Sequence, residues 1–150
     1  WCAHCRRPSC GRERYSMSPD KFSEVRGWLV KALDDVRGAE VDLAANPPLS
    51  GDALFHCQQA VEKVLKGFLT LHDRPFRKTH DLDELATACE QLDGSLAGVL
   101  DRARDLTPFA WRFRYPGDDV PPPAADIVES LTLAKEVVEE IRLRLPPLVL

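Results

Sequence analysis

Residues 52–72, DALFHCQQAVEKVLKGFLTLH, decide the fold of this chain. Apolar side chains recur along the stretch every three or four residues, at Leu54, Cys57, Val61, Leu65, Phe68 and Leu69. This period places them on one face of an α-helix. Asp73-Arg74-Pro75 follows directly and predicts the end of the helix, because proline cannot continue it.

The same helical period extends outward from this stretch in both directions, and no segment shows the alternation typical of a strand. Proline and glycine separate the periodic segments, and Asp81 with Glu84 forms a candidate capping box. Cys57 and Cys89 fall in helical patterns and are interpreted as small buried residues. We predict an all-α fold, an up-and-down antiparallel bundle of about five helices. The predicted helices run from Ser18 to about Asn46, about Asp52 to His72, Thr79 or Asp81 to Gly94, about Leu96 to Thr107, and Ile127 to Leu145.

Length and charge limit the possible classes of protein. The 150 residues are 44% hydrophobic, which suits one globular domain. The formal net charge is −4, but residues 1–16 hold four Arg and one Glu, so the rest of the chain carries −7. A broad nucleic-acid surface is therefore excluded, and any phosphate contact has to be local. There is no long apolar run and no signal-peptide core, so we expect no membrane association and a cytoplasmic location.

Residues 1–17 form a basic, cysteine-rich segment that precedes the bundle of residues 18–150. Cys2, Cys5 and Cys10 are weak candidate metal ligands, since a C-x-x-C pair is half of a common zinc site. A basic arm that touches nucleic acid is another interpretation. We favour a third, in which Met17 is the natural start and the segment is disordered or extraneous.

A polar stripe runs along the second predicted helix beside its apolar face. His56, Gln59, Lys63 and Lys66 are spaced three, four and three residues apart, so their side chains share one side of the helix. These donors are candidate phosphate-binding residues. Two other interpretations remain open: the stripe is a solvated face with an ordinary Glu62–Lys66 pair, or His56 and Gln59 bond to neighbouring helices.

The connection after this helix, residues 74–82, reads RPFRKTHDL. Arg77, Lys78 and His80 lie just before a helix N-terminus, where backbone N–H groups already favour an anion. They are candidate phosphate ligands, and His80 is a candidate acid or base. Alternatively, Thr79 and Asp81 cap the helix and His80 packs against its neighbour.

A further segment, residues 111–116, alternates aromatic and basic side chains in WRFRYP. Such a strip could stack on bases and contact phosphates, which makes Arg112, Arg114 and Tyr115 candidate binding residues. Trp111 and Phe113 are expected to pack into the core instead. No phosphate-binding glycine loop, metalloprotease motif or nucleophile elbow occurs, so the residues alone specify no reaction.

Three separated motifs carry a family resemblance. Residues 55–66, FHCQQAVEKVLK, resemble the F-H-x-Q-Q-A-x-E-K-x-L-K signature of prokaryotic stand-alone HEPN domains. THDL at 79–82 and RYP at 114–116 are similar to two further motifs of that family, in the same order. The resemblance implies an all-helical bundle, a homodimer, and a role with nucleotide or RNA. We expect no cofactor. It also implies a minimal nucleotidyltransferase as partner, in a toxin–antitoxin-like or defence module.

Many HEPN proteins are metal-independent RNases that use an Arg followed four to six residues later by a His. This chain has no His after His80. Arg74 and His80 have five residues between them, but Pro75 interrupts the pair, and we interpret the spacing as coincidence. An RNase toxin that uses His80 with Arg74 or Arg114 is therefore the alternative hypothesis, and a purely structural dimerisation module is a further one. The leading interpretation is a protein that is not an enzyme.

Overall fold

The computed structural model describes residues 19–117, 120 and 122–150, and within them it contains helices and no strand. The predicted all-α bundle is confirmed. The candidate metal ligands Cys2, Cys5 and Cys10 lie outside the described residues. The helices are α1 (Pro19–Ala44), α2 (Ser50–Leu71), α3 (Leu82–Leu92), α4 (Ala97–Ala103) and α5 (Ala124–Arg142), with 3₁₀ segments at Gly94–Leu96 and Arg104–Ala110.

Helix α2 is the centre of the bundle and is buried along most of its length. Its predicted apolar side chains, from Leu54 to Leu69, are almost fully buried. Burial raises the pKa of Cys57 and of Cys89 to about 12, so both thiols stay neutral and pack as apolar groups. The flanking helices also bury one apolar face, with Val25, Leu29, Ala32 and Ala39 on α1 and Ile127, Leu131, Ala134, Val138 and Ile141 on α5.

Helices α2 and α3 run in the same direction, because the connection between them turns back along α2. Within it, Phe76 meets Trp28 of α1 at a ring-centroid separation of 6.3 Å. The start of α3 thus lies beside the middle of α2, where Gln58 bonds to the backbone of His80. The end of α3 lies beside the end of α2, where Leu92 and Phe68 line one small cavity. Helices α1 and α2, by contrast, are antiparallel.

Some sequence-based details need correction. The fourth helix is α-helical only to Ala103 and continues as a 3₁₀ segment that contains Pro108. Trp111 is 50% exposed, so it is not the core residue that the sequence suggested. Asp81 does cap α3 by accepting from Asp83 N–H, but Glu84 turns to Arg77 instead of completing the capping box. In the part of the chain that the structure describes, no helix has the length and apolar content needed to cross a membrane.

Candidate functional site

Glu62 is the centre of a buried hydrogen-bond network on α2. Its Oε2 accepts from Gln58 Nε2 at 2.9 Å and from Gln59 Nε2 at 3.2 Å, and it lies 3.0 Å from His80 Nδ1. Its Oε1 accepts from Lys66 Nζ at 2.7 Å. Burial alone would raise the pKa of Glu62, but the hydrogen bonds from Lys66, Gln58 and His80 outweigh it, so the pKa lies below its usual value. The carboxylate is therefore ionised at neutral pH.

Lys66 is held inside the bundle as the counter-ion of Glu62. Its Nζ also donates to Thr79 O at 3.0 Å and lies about 6 Å from the rings of Trp28 and Phe76. The interpretation of this stripe as a solvated face is wrong for Gln59 and Lys66, because both side chains are buried. Their donors are already engaged by protein acceptors. A phosphate would have to displace these bonds to reach them.

A second polar cluster lies next to the first on α2 and joins this helix to α1. His56 Nδ1 lies 2.9 Å from Asp35 Oδ1, and its Nε2 lies 3.7 Å from Asp42 Oδ2. Lys63 forms an ion pair with the other oxygen of Asp35. Gly38 provides the space for the imidazole, since a Cβ there would lie 3.1 Å from the ring. Thus His56 does bond to a neighbouring helix, as one of the alternatives expected, and Lys63 is paired across the same interface.

Side chains of α2 form hydrogen bonds with the backbone of the THDL motif and with the imidazole of its histidine. Gln58 Nε2 donates to His80 O at 3.1 Å, and Lys66 donates to the carbonyl of Thr79. The Thr79 hydroxyl accepts from Asp81 N–H at 3.0 Å. The His80 side chain is nevertheless 66% exposed, because only its Nδ1 edge faces Glu62. His80 therefore belongs to the protein surface and to the buried network at once.

The other candidate cations of this connection lie further out. Arg77 is exposed and forms an ion pair with Glu84, which raises the pKa of the Arg77 guanidinium. Lys78 is exposed. Arg74 donates to Gln91 Oε1 at 2.7 Å, near the C-terminal end of α3. His80 precedes the N-terminal end of α3, about 13 Å away along that helix, so the geometry separates Arg74 from His80.

The RYP motif lies against the N-terminal half of α2. The guanidinium of Arg114 is 4.5 Å from the centre of the Phe55 ring, and that of Arg112 is 5.5 Å from the Phe113 ring. Phe113 packs on α2 at Gly51, where a Cβ would lie 2.8 Å from Phe113 Cβ. Tyr115 is 74% exposed. Next to these residues is an open cavity of about 270 Å³, lined by Ser50, Gly51, Asp52, Arg112, Phe113 and Tyr115 among others.

These contacts bring all three motifs together on one face of α2. Phe55, whose ring contacts Arg114, and Glu62, whose carboxylate contacts His80, are seven residues apart. They therefore lie on the same side of the helix. The two contact points are about 10 Å apart along the helix axis. A hydrogen bond of 3.2 Å from Leu82 N–H to the Thr107 hydroxyl holds the segment before RYP beside the start of α3.

Four residues at the centre of these networks were not among the sequence-based candidates. Gln58 and Glu62 stand inside the FHCQQAVEKVLK signature, so the motif itself could have pointed to them. Asp35 and Asp42 lie seven residues apart on α1 beside its apolar stripe, a spacing that marks one helix face. Within the described ranges, no group of three His, Cys, Asp or Glu side chains is arranged to hold a metal ion.

The fold and these clustered motifs define an all-α bundle protein with a polar, motif-bearing central helix. A family model described as HEPN domain matches residues 25–144, well over half of the chain. The chain therefore belongs to the HEPN family. The comparison with curated proteins and the comparison with solved structures gave no match. Membership of this family supports a nucleotide- or RNA-associated protein.

Proposed function

We propose that this protein binds nucleotide or RNA on the motif-bearing face of α2, between His80 and Arg114. The observation that carries the proposal is the convergence of three separate motifs on that face, where two of them, THDL and RYP, bring exposed polar side chains. In the same proposal, the protein is a cytoplasmic homodimer that works with a minimal nucleotidyltransferase in a toxin–antitoxin-like or defence module. The family resemblance motivates these last points.

The exposed side chains supply the chemistry that a nucleotide needs. Arg114 is a guanidinium that can make paired hydrogen bonds to a phosphate while its planar face rests on Phe55. Tyr115 offers an exposed ring on which a base can stack. Arg112 adds a second guanidinium beside the cavity. Arg77 and Lys78 are further cations on the His80 side of the face.

Isothermal titration with ATP, GTP and a short RNA tests the binding proposal. We expect at least one of them to bind, and Arg114→Ala to weaken that affinity by about tenfold, since a charge-assisted hydrogen bond is lost. Arg142→Ala is the matched control, because Arg142 pairs with Glu139 at the end of α5. No binding to any ligand, or equal losses in the two variants, would contradict the proposal and leave a structural module.

The partner and dimer proposals need a separate measurement. We expect the purified chain to elute at twice its mass of 16.8 kDa in size-exclusion chromatography with light scattering. We also expect a nucleotidyltransferase encoded beside it to co-elute when the two genes are expressed together. A monomer, or separate elution of the two proteins, would contradict this part of the proposal only.

A metal-independent RNase remains the second candidate function, and one observation favours it. His80 is held at Nδ1 by a buried carboxylate, which is how proteins orient a histidine for proton transfer at Nε2. Arg114, which contacts the same face of α2, would stabilise the charged phosphorane. Incubation with total RNA in EDTA tests this: cleavage that His80→Ala abolishes supports it. Cleavage that survives His80→Ala would show that another residue is responsible.

A further inference from the structure

We propose that Glu62 is a positioning residue that fixes His80 with its proton on Nδ1 and turns Nε2 outward to the ligand surface. The inference rests on the proposed function for its consequence in binding, but its geometry stands on the described contacts alone. Among the described residues Glu62 is one of the most buried carboxylates, with 5% of its side chain exposed, whereas the His80 side chain is largely exposed. The buried Glu62 is therefore the fixed partner, and it positions the exposed ring of His80.

The donors around Glu62 determine which ring nitrogen of His80 carries hydrogen. Gln58 and Gln59 present amide N–H groups and Lys66 presents an ammonium, so every one of these neighbours donates. An ionised carboxylate has only acceptors to offer. The close approach of His80 Nδ1 to Glu62 Oε2 is then a hydrogen bond only if Nδ1 carries the proton. In the neutral ring, the lone pair is left on Nε2, at the exposed edge.

The backbone of His80 is held by side chains of the same helix, so the imidazole is attached at a defined point beside Glu62. Gln58 bonds simultaneously to Glu62 and to the carbonyl of His80. Lys66 bonds simultaneously to Glu62 and to the carbonyl of Thr79. The same two side chains thus hold both the carboxylate and the loop that carries its imidazole partner. A ring fixed in this way meets a ligand through Nε2, as an acceptor when neutral and as a donor when protonated.

Histidine-ring NMR tests the tautomer directly. Long-range ¹H–¹⁵N correlation spectra separate Nδ1–H from Nε2–H rings, and His80→Ala assigns the His80 signals by removing them. In the unmodified protein, recorded up to pH 9 so that the neutral ring is observed, we expect His80 as the Nδ1–H form. An Nε2–H ring would overturn the proposal, and this measurement needs no variant of Glu62 to fold.

Glu62→Gln is the matching substitution, because the carboxamide keeps the shape but can donate as well as accept. We expect the neutral His80 ring to move toward the Nε2–H form that unconstrained histidines prefer. Glu139→Gln is the control, since it makes the same change of charge in an exposed pair on α5. It should leave the His80 signals unchanged. A His80 ring that keeps Nδ1–H in Glu62→Gln would also overturn the proposal.

A double-mutant cycle on ligand affinity separates positioning from a merely structural role. With the ligand found by titration, we expect Glu62→Gln and His80→Ala each to weaken binding by about tenfold. The double variant should bind no more weakly than His80→Ala alone, because Glu62 acts through His80. Additive losses would overturn the proposal. If no nucleotide or RNA binds although the Nδ1–H form is present, the proposed function fails and the positioning geometry stands.

Discussion

The Glu62–Lys66 pair shows how a buried charge is tolerated at the level of single residues. Removing two ions from water costs several kcal/mol each, and their attraction repays it only when further hydrogen bonds satisfy both groups. Here, Gln58, Gln59 and His80 surround the carboxylate, and the Thr79 carbonyl accepts from the ammonium. Each partner therefore depends on the other. Breaking this buried pair costs more free energy of folding than breaking an ion pair at the surface.

Lys66→Met should destabilise the protein by about 3 kcal/mol, because it leaves a buried carboxylate without its counter-ion. Urea denaturation followed by circular dichroism measures the change in free energy of unfolding. Lys135→Met is the matched control: Lys135 pairs with Glu40 where both side chains are about half exposed, so its loss should cost less than about 1 kcal/mol. Similar losses in the two variants would show that the buried pair is not special.

A carboxylate between α3 and α4 makes stability depend on pH. Hydrogen bonds from Ser95 and from Arg144 lower the pKa of Asp93 from 3.8 to about 2. Because the folded pKa lies below the unfolded one, the contribution is complete above about pH 4 and is lost as the pH falls toward 2. Glu62 also contributes stability that is lost on acidification, since its pKa in the folded protein lies below its usual value.

Asp93→Asn should therefore lower stability at neutral pH and flatten the loss of stability between pH 4 and pH 2. Urea midpoints measured at intervals from pH 2 to pH 7 test this expectation. The substitution removes the titrating group but retains a side-chain oxygen that can still accept from Ser95 N–H. An unchanged slope between pH 4 and pH 2 would mean that Asp93 does not contribute to acid unfolding.

At the scale of elements, the contact between α1 and α2 depends on a glycine. A Cβ at Gly67 would lie 3.0 Å from Trp28 Cβ, closer than ordinary packing allows, so the two helices approach at this point. A Cβ at Gly27, the residue before Trp28 on α1, would meet nothing within 4 Å. The two positions are a natural pair, because both are helical glycines and only one of them is packed against a neighbour.

Gly27→Ala should stabilise the protein by about 0.8 kcal/mol, the usual gain in an exposed helix. Gly67→Ala brings the same gain but overpacks the interface by about 2 kcal/mol, so the net effect should be a loss of about 1 kcal/mol. Thermal unfolding of both variants tests this: the midpoint temperature should rise in Gly27→Ala and fall in Gly67→Ala. A stabilised Gly67→Ala would mean that α1 and α2 can separate at little cost.

The helices themselves could be predicted from the sequence, but the path of the chain between them could not. Apolar spacing located α1, α2 and α5 to within a few residues, since burial of one face determines that spacing. The parallel course of α2 and α3 depends instead on the connection that follows Leu71, which is held by Gln58 and Lys66. Those contacts are long-range and leave no local period.

For the molecule as a whole, the motifs located the candidate site, but only the structure separated buried from exposed candidates. His80, Arg112, Arg114 and Tyr115 are exposed beside α2, whereas Gln59 and Lys66 are internal. Spacing on a helix shows which side chains share a side, but it does not show which side faces a neighbour. Trp111 is the converse case, an aromatic residue expected in the core that lies at the surface.

The charge of the whole chain sets the salt dependence that RNA binding should show. Beyond residue 16 the chain carries −7, so only a few exposed cations near the site can replace counterions. Contacts from Lys78, Arg112 and Arg114 to single-stranded RNA would give a slope of log affinity against log salt of about −2. Fluorescence anisotropy of a labelled RNA, at salt concentrations from about 50 to about 200 mM, measures this slope.

Arg114→Ala should reduce the magnitude of that slope by about 0.7, the share of one phosphate contact, whereas Arg142→Ala should leave it unchanged. A slope steeper than about −5 would require a broad basic surface and contradict a local site. The basic N-terminal segment is the one part of the chain with such a charge, so a further variant replaces its arginines with serine. If the slope then falls toward zero, the RNA contacts that segment instead of α2. The replaced residues are Arg6, Arg7, Arg12 and Arg14.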